Sequence, residues 1–145
     1  MTVMKLDKID LKILELLKKD ARTTFTKIGN TLGVADSTVH IRVKKMVDEG
    51  VIKSFTTNVS NEALGRVEGL IMIDVVPGYF EKVLPDLIQV ENVQEVMELH
   101  GPYVAILKIS ASNLSELRDE IVRIRKISHV TRTEMIPILK AWKKT

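Results

Sequence analysis

Apolar residues at Leu6, Ile9, Ile13, Leu16 and Leu17 fall on one face of a helix, and the spacing predicts a first helix over about Lys8 to Lys19, started by Asp7 or Asp10. Thr24, followed by Phe25, Ile28 and Leu32, reads as the N-cap of a second, shorter helix. Gly33 ends that helix, because glycine adopts the left-handed conformation that a tight exit requires. Only Val34 and Ala35 precede a third helical pattern, about Asp36 to Glu49, with Val39, Val43, Met46 and Val47 on its inner stripe. Two helices joined so closely must cross sharply. The other side of the third helix carries Ser37, Thr38, Ile41, Lys44 and Lys45, with His40 and Arg42 on the flanks.

Further along, the pattern changes period. Gly69 to Val76 is an apolar, β-branched run ended by Pro77-Gly78, and Phe80, Val83, Leu84, Leu87 and Ile88 then follow a helical period. Val93 to His100 and Tyr103 to Ala111 predict a hairpin over Gly101-Pro102. Leu114, Leu117, Ile121 and Ile124 mark a helix capped near Asn113, and Thr131 to Leu139 predicts a last strand. The order βαββαβ implies an α+β fold: a four-stranded antiparallel sheet with both helices on one side, the ferredoxin-like arrangement. Pro137 agrees with an edge position for the last strand, since proline cannot donate to a ladder. The two strands expected at the centre are apolar on both faces: Leu70 and Met72 alternate with Ile71, Ile73 and Val75, and Ala105, Leu107 and Ile109 alternate with Val104 and Ile106. Two helices cover one face, so a second subunit is expected on the other.

Charge sharpens this division. The net charge is +3, but residues 1–60 hold 11 Lys and Arg against 7 Asp and Glu, whereas residues 61–145 hold 11 against 12. The basic excess lies in the N-terminal part, which favours a polyanionic partner there. A helix about 12 Å across fits a DNA major groove, and Ser, Thr, His and Arg can bond to base edges or phosphates while lysines neutralise phosphates. A short capped helix, a glycine turn and a third helix with a basic outer face are the parts that helix-turn-helix docking needs. The same face is also compatible with the solvated side of a small packing unit.

Other chemistry is narrowed or excluded. With no cysteine there is no disulfide, thiolate metal site or cysteine nucleophile. His40, His100 and His129 lack metal-ligand spacing, and no phosphate-binding glycine loop occurs, so neither metal nor cofactor is expected. Asp119-Glu120, and Glu95 with Glu98, read as solvated faces. No apolar run approaches a membrane span, which places the expected protein in the cytoplasm.

Leu6-Asp7, Ile9-Asp10, Ile13-Leu14, Leu17, Asp20-Ala21-Arg22, Ile28, Leu32-Gly33-Val34, Arg42-Val43, Gly50-Val51-Ile52 and Leu64-Gly65 together resemble the leucine-responsive and asparagine-regulator family of transcription factors (Lrp/AsnC). The resemblance covers nearly the whole chain. It implies a helix-turn-helix DNA-binding domain over 1–50, a tether strand, about Val51 to Val59, within a linker over 51–65, and a βαββαβ, ACT-like dimerisation and effector domain over 66–139, with a basic tail over 140–145. It further implies a sequence-specific regulator of double-stranded DNA that acts as a homodimer or higher oligomer and answers to an amino acid or other small effector. Ser37, Thr38, His40 and Ile41 are then expected at base edges, with Arg42, Lys44 and Lys45 mainly at phosphates.

Two positions depart from the family pattern. Ala35-Asp36 stands where Ser-Pro is usual, which leaves Asp36 or Ser37 to cap the third helix. Gly101-Pro102-Tyr103-Val104 stands where a Gly-Asp-Tyr-Asp-like turn is common, so Gly101, Pro102 and Tyr103 form a candidate ligand site that has lost both carboxylates, or a plain hairpin turn. Trp142 among Lys140, Lys143 and Lys144 reads as a packing aromatic in a tail or as a second phosphate contact. Two alternatives stay open. The architecture also resembles tetrapyrrole decarboxylase subunits, in which His100, Arg123, His129 and Arg132 would matter, and a chromosome-compacting protein of low specificity would use the same basic face.

Overall fold

The computed structural model describes residues 3–142, and the chain divides near Asn58 and Val59 into two compact units. The first unit holds α1 (Lys8–Lys19), α2 (Phe25–Leu32) and α3 (Asp36–Asp48). Asp7 starts α1: its carboxylate accepts the Ile9 and Asp10 N–H groups at 2.8 and 2.9 Å. The Asp10 carboxylate accepts the Asp7 N–H at 3.0 Å, so both acids named by the sequence share one reciprocal cap. Thr24 caps α2 through the Lys27 N–H at 3.2 Å, and Gly33 leaves it at φ 70°.

The start of α3 differs from expectation. With only Gly33, Val34 and Ala35 between the helices, extended backbone at Ala35 makes that residue the N-cap, and no side chain caps the helix. Asp36 is already helical and accepts the Ser37 N–H at 2.7 Å instead. Its charge still suits the positive end of the helix dipole. Ile13, Leu17, Ile28, Val39, Val43 and Met46 form the buried core, and Leu6, Phe25, Leu32, Val51 and Ile52 close over it. Val47, expected on the inner stripe, is exposed at the edge of the narrower Val39–Val43–Met46 row.

No strand forms over residues 51–66, which corrects the expected tether strand. A strand needs a neighbour for its N–H and C=O groups. Along the single chain both central strands already have their partners, and Val51 and Ile52 pack into the helical core.

The second unit contains β1 (Val67–Val75), α4 (Phe80–Ile88), β2 (Val93–Glu98), β3 (Ala105–Ala111), α5 (Leu114–Arg125) and β4 (Val130–Ile138). The strands form one antiparallel sheet in the order β2-β3-β1-β4, with Ile71 opposite Leu107 and Leu70 opposite Ile136. Pro137 lies on the β4 edge, as its missing N–H requires. Ile71, Ile73, Val75, Leu107 and Ile109 point to one face and pack with Val83 and Leu87 of α4 and Leu117, Ile121 and Ile124 of α5.

Asn113 caps α5 by accepting the Glu116 N–H at 2.9 Å. Glu120 departs from the solvated role expected of it and is fully buried beside Ile121. Burial of a carboxylate demands partners, and one of its oxygens accepts from Asn92 Nδ2 at 2.8 Å and from Arg123 Nη1 at 3.0 Å. Asp119, Glu95 and Glu98 are exposed, as expected.

Candidate functional site

In the helical unit, packing of Val39, Val43 and Met46 turns the opposite side of α3 to solvent. Ser37, His40, Ile41, Lys44 and Lys45 are exposed there, with Ile41 66% accessible, and Thr38 is half-buried. The His40 ring stands edge-on to Phe25 at 5.6 Å between centroids, which fixes it on the α2 side of the helix. Lys44 bonds Asp48 at 2.8 Å, and this pair raises the lysine's pKa. Both partners are largely solvated, so the ion pair contributes little and can open for another anion.

Arg42 is placed differently from its six companions. Its Nη1 donates to Asp7 Oδ2 at 2.6 Å and to Asp10 Oδ1 at 2.8 Å, joining α3 to the cap of α1. Asp10 is nearly inaccessible, so the guanidinium supplies charge that water cannot. The Asp10 N–H first, and Arg42 next, hold the Asp7 carboxyl at about 2. Arg42, bonded first to Asp10 and then to Asp7, is held above its ordinary value. The residue expected at phosphates is therefore engaged inside the unit, because the capping box already gathers two carboxylates within its reach.

In the sheet unit, the face away from the helices presents Leu70 and Met72 of β1, Ile106 of β3, Met97 of β2 and Ile136 of β4. These apolar side chains are only partly covered, and Ile136 is 45% exposed. Gly101 and Pro102 of the candidate ligand turn are exposed, whereas Tyr103 lies against β4. Its hydroxyl donates to Glu134 and accepts from Arg132 Nη2 at 2.7 Å, while the Arg132 guanidinium stands 4.4 Å from the ring centroid. The Glu134 carboxylate raises the tyrosine's pKa. Asp74 accepts the Val104 N–H at 3.1 Å and faces Arg132 at 3.9 Å. Asp74 and Glu134 thus place two carboxylates beside the 102–104 turn.

Residues 6–53 match the model for winged helix-turn-helix DNA-binding domains, and residues 68–145 match the Lrp/AsnC ligand-binding domain. The chain belongs to the Lrp/AsnC family. This Lrp/AsnC protein is 37% identical to the HTH-type transcriptional regulator FL11 of Pyrococcus furiosus over 97% of the chain and 93% of that protein. It is 30% identical to the HTH-type transcriptional regulator LysM of Saccharolobus solfataricus over 94% and 96%. AsnC of E. coli superposes with a TM-score of 0.86 at 27% identity, covering 98% of each chain. LrpC of B. subtilis gives 0.83 at 28%, covering 98% of this chain and all of the other. The Lrp/AsnC chain is accordingly a transcription regulator with a DNA-binding helix-turn-helix followed by an Lrp-type ligand-binding domain. Among its described residues no helix is long and apolar enough to cross a membrane.

The side chains named for the decarboxylase alternative have separate occupations. His129 stacks on Tyr79 at 4.1 Å, Arg123 pairs with Glu120, and Arg132 serves Tyr103 and Asp74. His100 is exposed just outside β2. Trp142 is exposed with Lys140 above its ring, so it is not the packing aromatic of the tail. Lys143 and Lys144 lie outside the described residues.

Sequence reasoning passed over Asp74, Arg132 and Glu134 as companions of Tyr103. Their signal was register: Asp74 sits opposite Arg132, and Glu134 opposite Met72, on the face that Leu70 and Ile136 share. It also passed over Gly29, whose buried position in α2 lies against the turn into α3.

Proposed function

We propose that this regulator binds specific duplex sequences as a dimer, with α3 entering the major groove. In this reading Ser37, Thr38, His40 and Ile41 meet base edges, Lys44 and Lys45 neutralise phosphates, and Arg42 holds the helix in position. The observation that carries it is the exposed, polar and cationic side of a helix whose other side is fixed by a packed core. Ile41, costly at that exposure in water, suits a thymine methyl.

The half-covered row of Leu70, Met72, Ile106 and Ile136 supports pairing of two sheets, because an apolar patch of that kind is rarely left to water. Two-fold pairing would present two α3 helices to half-sites one helical turn apart, about 34 Å. Tyr103 with Arg132, Asp74 and Glu134 offers both signs of charge, which suits the carboxylate and ammonium of an amino acid at the Gly101–Tyr103 turn. The site of action is the cytoplasm.

Selection of bound duplexes from a random pool, followed by salt titration of variants, tests the DNA reading. Lys44→Ala and Lys45→Ala should each flatten the slope of log K against log salt by about 0.9. His40→Ala should relax discrimination at particular base pairs while leaving the slope in place. A specificity ratio near unity between selected and random duplexes would favour the compacting role instead.

A further inference from the structure

The exposed side of α3 is bordered along one flank by the segment ahead of α1. A groove of about 400 Å³ runs between them, with Thr38, Ile41 and Lys45 on one wall and Met4 and Lys5 on the other. Asp7, Asp10 and Arg42 make its floor. Lys5 and Lys45 both line this groove and are exposed.

Electrostatics decide what fits. Two bare carboxylates would repel a polyanion, but Arg42 lies between them at 2.6 and 2.8 Å, and Asp10 is withdrawn from solvent. One uncompensated acid in the floor then faces two exposed lysines, Lys5 and Lys45, on the two lips. A helix seated in a major groove has a sugar–phosphate strand along each flank, and such strands are gripped by cationic side chains. The lips of this groove are cationic while the floor keeps one net negative charge, so phosphates belong at the rim, beside the lysines.

We propose that the segment ahead of α1 forms a second DNA-contacting element, in which Lys5 neutralises a phosphate of the strand bordering α3 on its Ile41–Lys45 flank and Met4, packed against the helical core, holds the segment in place. The element rests on the DNA reading given above and extends it beyond the helix-turn-helix proper. It also gives the Arg42 bridge a part in binding, since the bridge halves the negative charge of the floor from two acids to one.

The test is the salt dependence of binding of the full chain to a random-sequence duplex, comparing wild type with Lys5→Ala, Lys45→Ala and Lys18→Ala. Lys18 is exposed in the last turn of α1 and does not line the groove, so it reports the general field of the protein. Lys5→Ala should lower the slope by about 0.9, Lys5→Arg should retain it, and Lys18→Ala should leave it within error. Thermal melts of each variant confirm folding. An unchanged slope for Lys5→Ala beside a reduced one for Lys45→Ala overturns this element alone. Equal losses for Lys5→Ala and Lys18→Ala overturn it too, by showing a diffuse field. Failure of the wild type to bind duplex at low salt overturns the DNA reading beneath it.

Discussion

Replacement of Gly29 by alanine sets two known effects against each other. Alanine in a helix interior is favoured over glycine by about 0.5–1 kcal/mol, so propensity alone predicts a more stable protein. The structure predicts the opposite. A Cβ at Gly29 would lie 2.6 Å from the Val34 carbonyl oxygen and 3.3 Å from the Asp36 nitrogen. Carbon–oxygen contacts ordinarily begin at about 3.3 Å, so the turn must retreat by roughly 0.7 Å. The Val34 N–H also donates to the Gly29 carbonyl at 3.0 Å, so that retreat strains a hydrogen bond. Overpacking of this kind costs about 1–3 kcal/mol, and against backbone it should fall in the upper part of that range. The net expectation is a loss of about 1–2 kcal/mol. Chemical denaturation followed by helical circular dichroism would measure it, alongside duplex affinity, which should fall further because the displaced turn leads directly into α3. A Gly29→Ala protein that unfolds at or above the wild-type midpoint would refute the argument that close approach of α2 to this turn sets the angle of α3.

Two further outcomes follow from the same geometry. The Asp7 carboxyl is depressed in the folded protein from 3.8 to about 2, so its contribution to stability is fully present above pH 3.8 and is lost as pH falls toward 2. Asp7→Asn should lack that acid-sensitive component, and identical urea midpoints against pH for the two proteins would count against the Asp7 cap and, with it, the Arg42 bridge in solution. Ile106→Asp, at the middle of the half-covered sheet face, should shift the sedimenting species from dimer to monomer and weaken duplex binding; a monomeric wild type at micromolar concentration would contradict the pairing.

What could be read from the chain followed from periodicity and turn chemistry. Thr24, Gly33 and Asn113 act locally, within three or four residues, and each does what its side chain predicts. Pro137 identified an edge strand because its constraint is absolute. The alternation of Leu70 with Ile71 showed two apolar faces before any topology was known. Long-range pairings were not legible. Arg42 has its partners 32 and 35 residues away, and nothing in a helical wheel distinguishes a flank turned to DNA from one turned to another helix. Glu120 looked solvated because Asn92, which joins Arg123 in bonding its carboxylate, sits in a different connection 28 residues earlier. The tether strand failed for a related reason: strand character belongs to a pair of segments, and the sequence displays only one of them.

Each half of the molecule completes its own interior, with Met46 and Ile13 closing one and Leu107 and Ile124 the other, and residues 53–60 belong to neither core cluster. A crossover in that stretch would exchange one helix-turn-helix domain for another beside an unchanged ligand-binding domain, leaving every core side chain with its original neighbours.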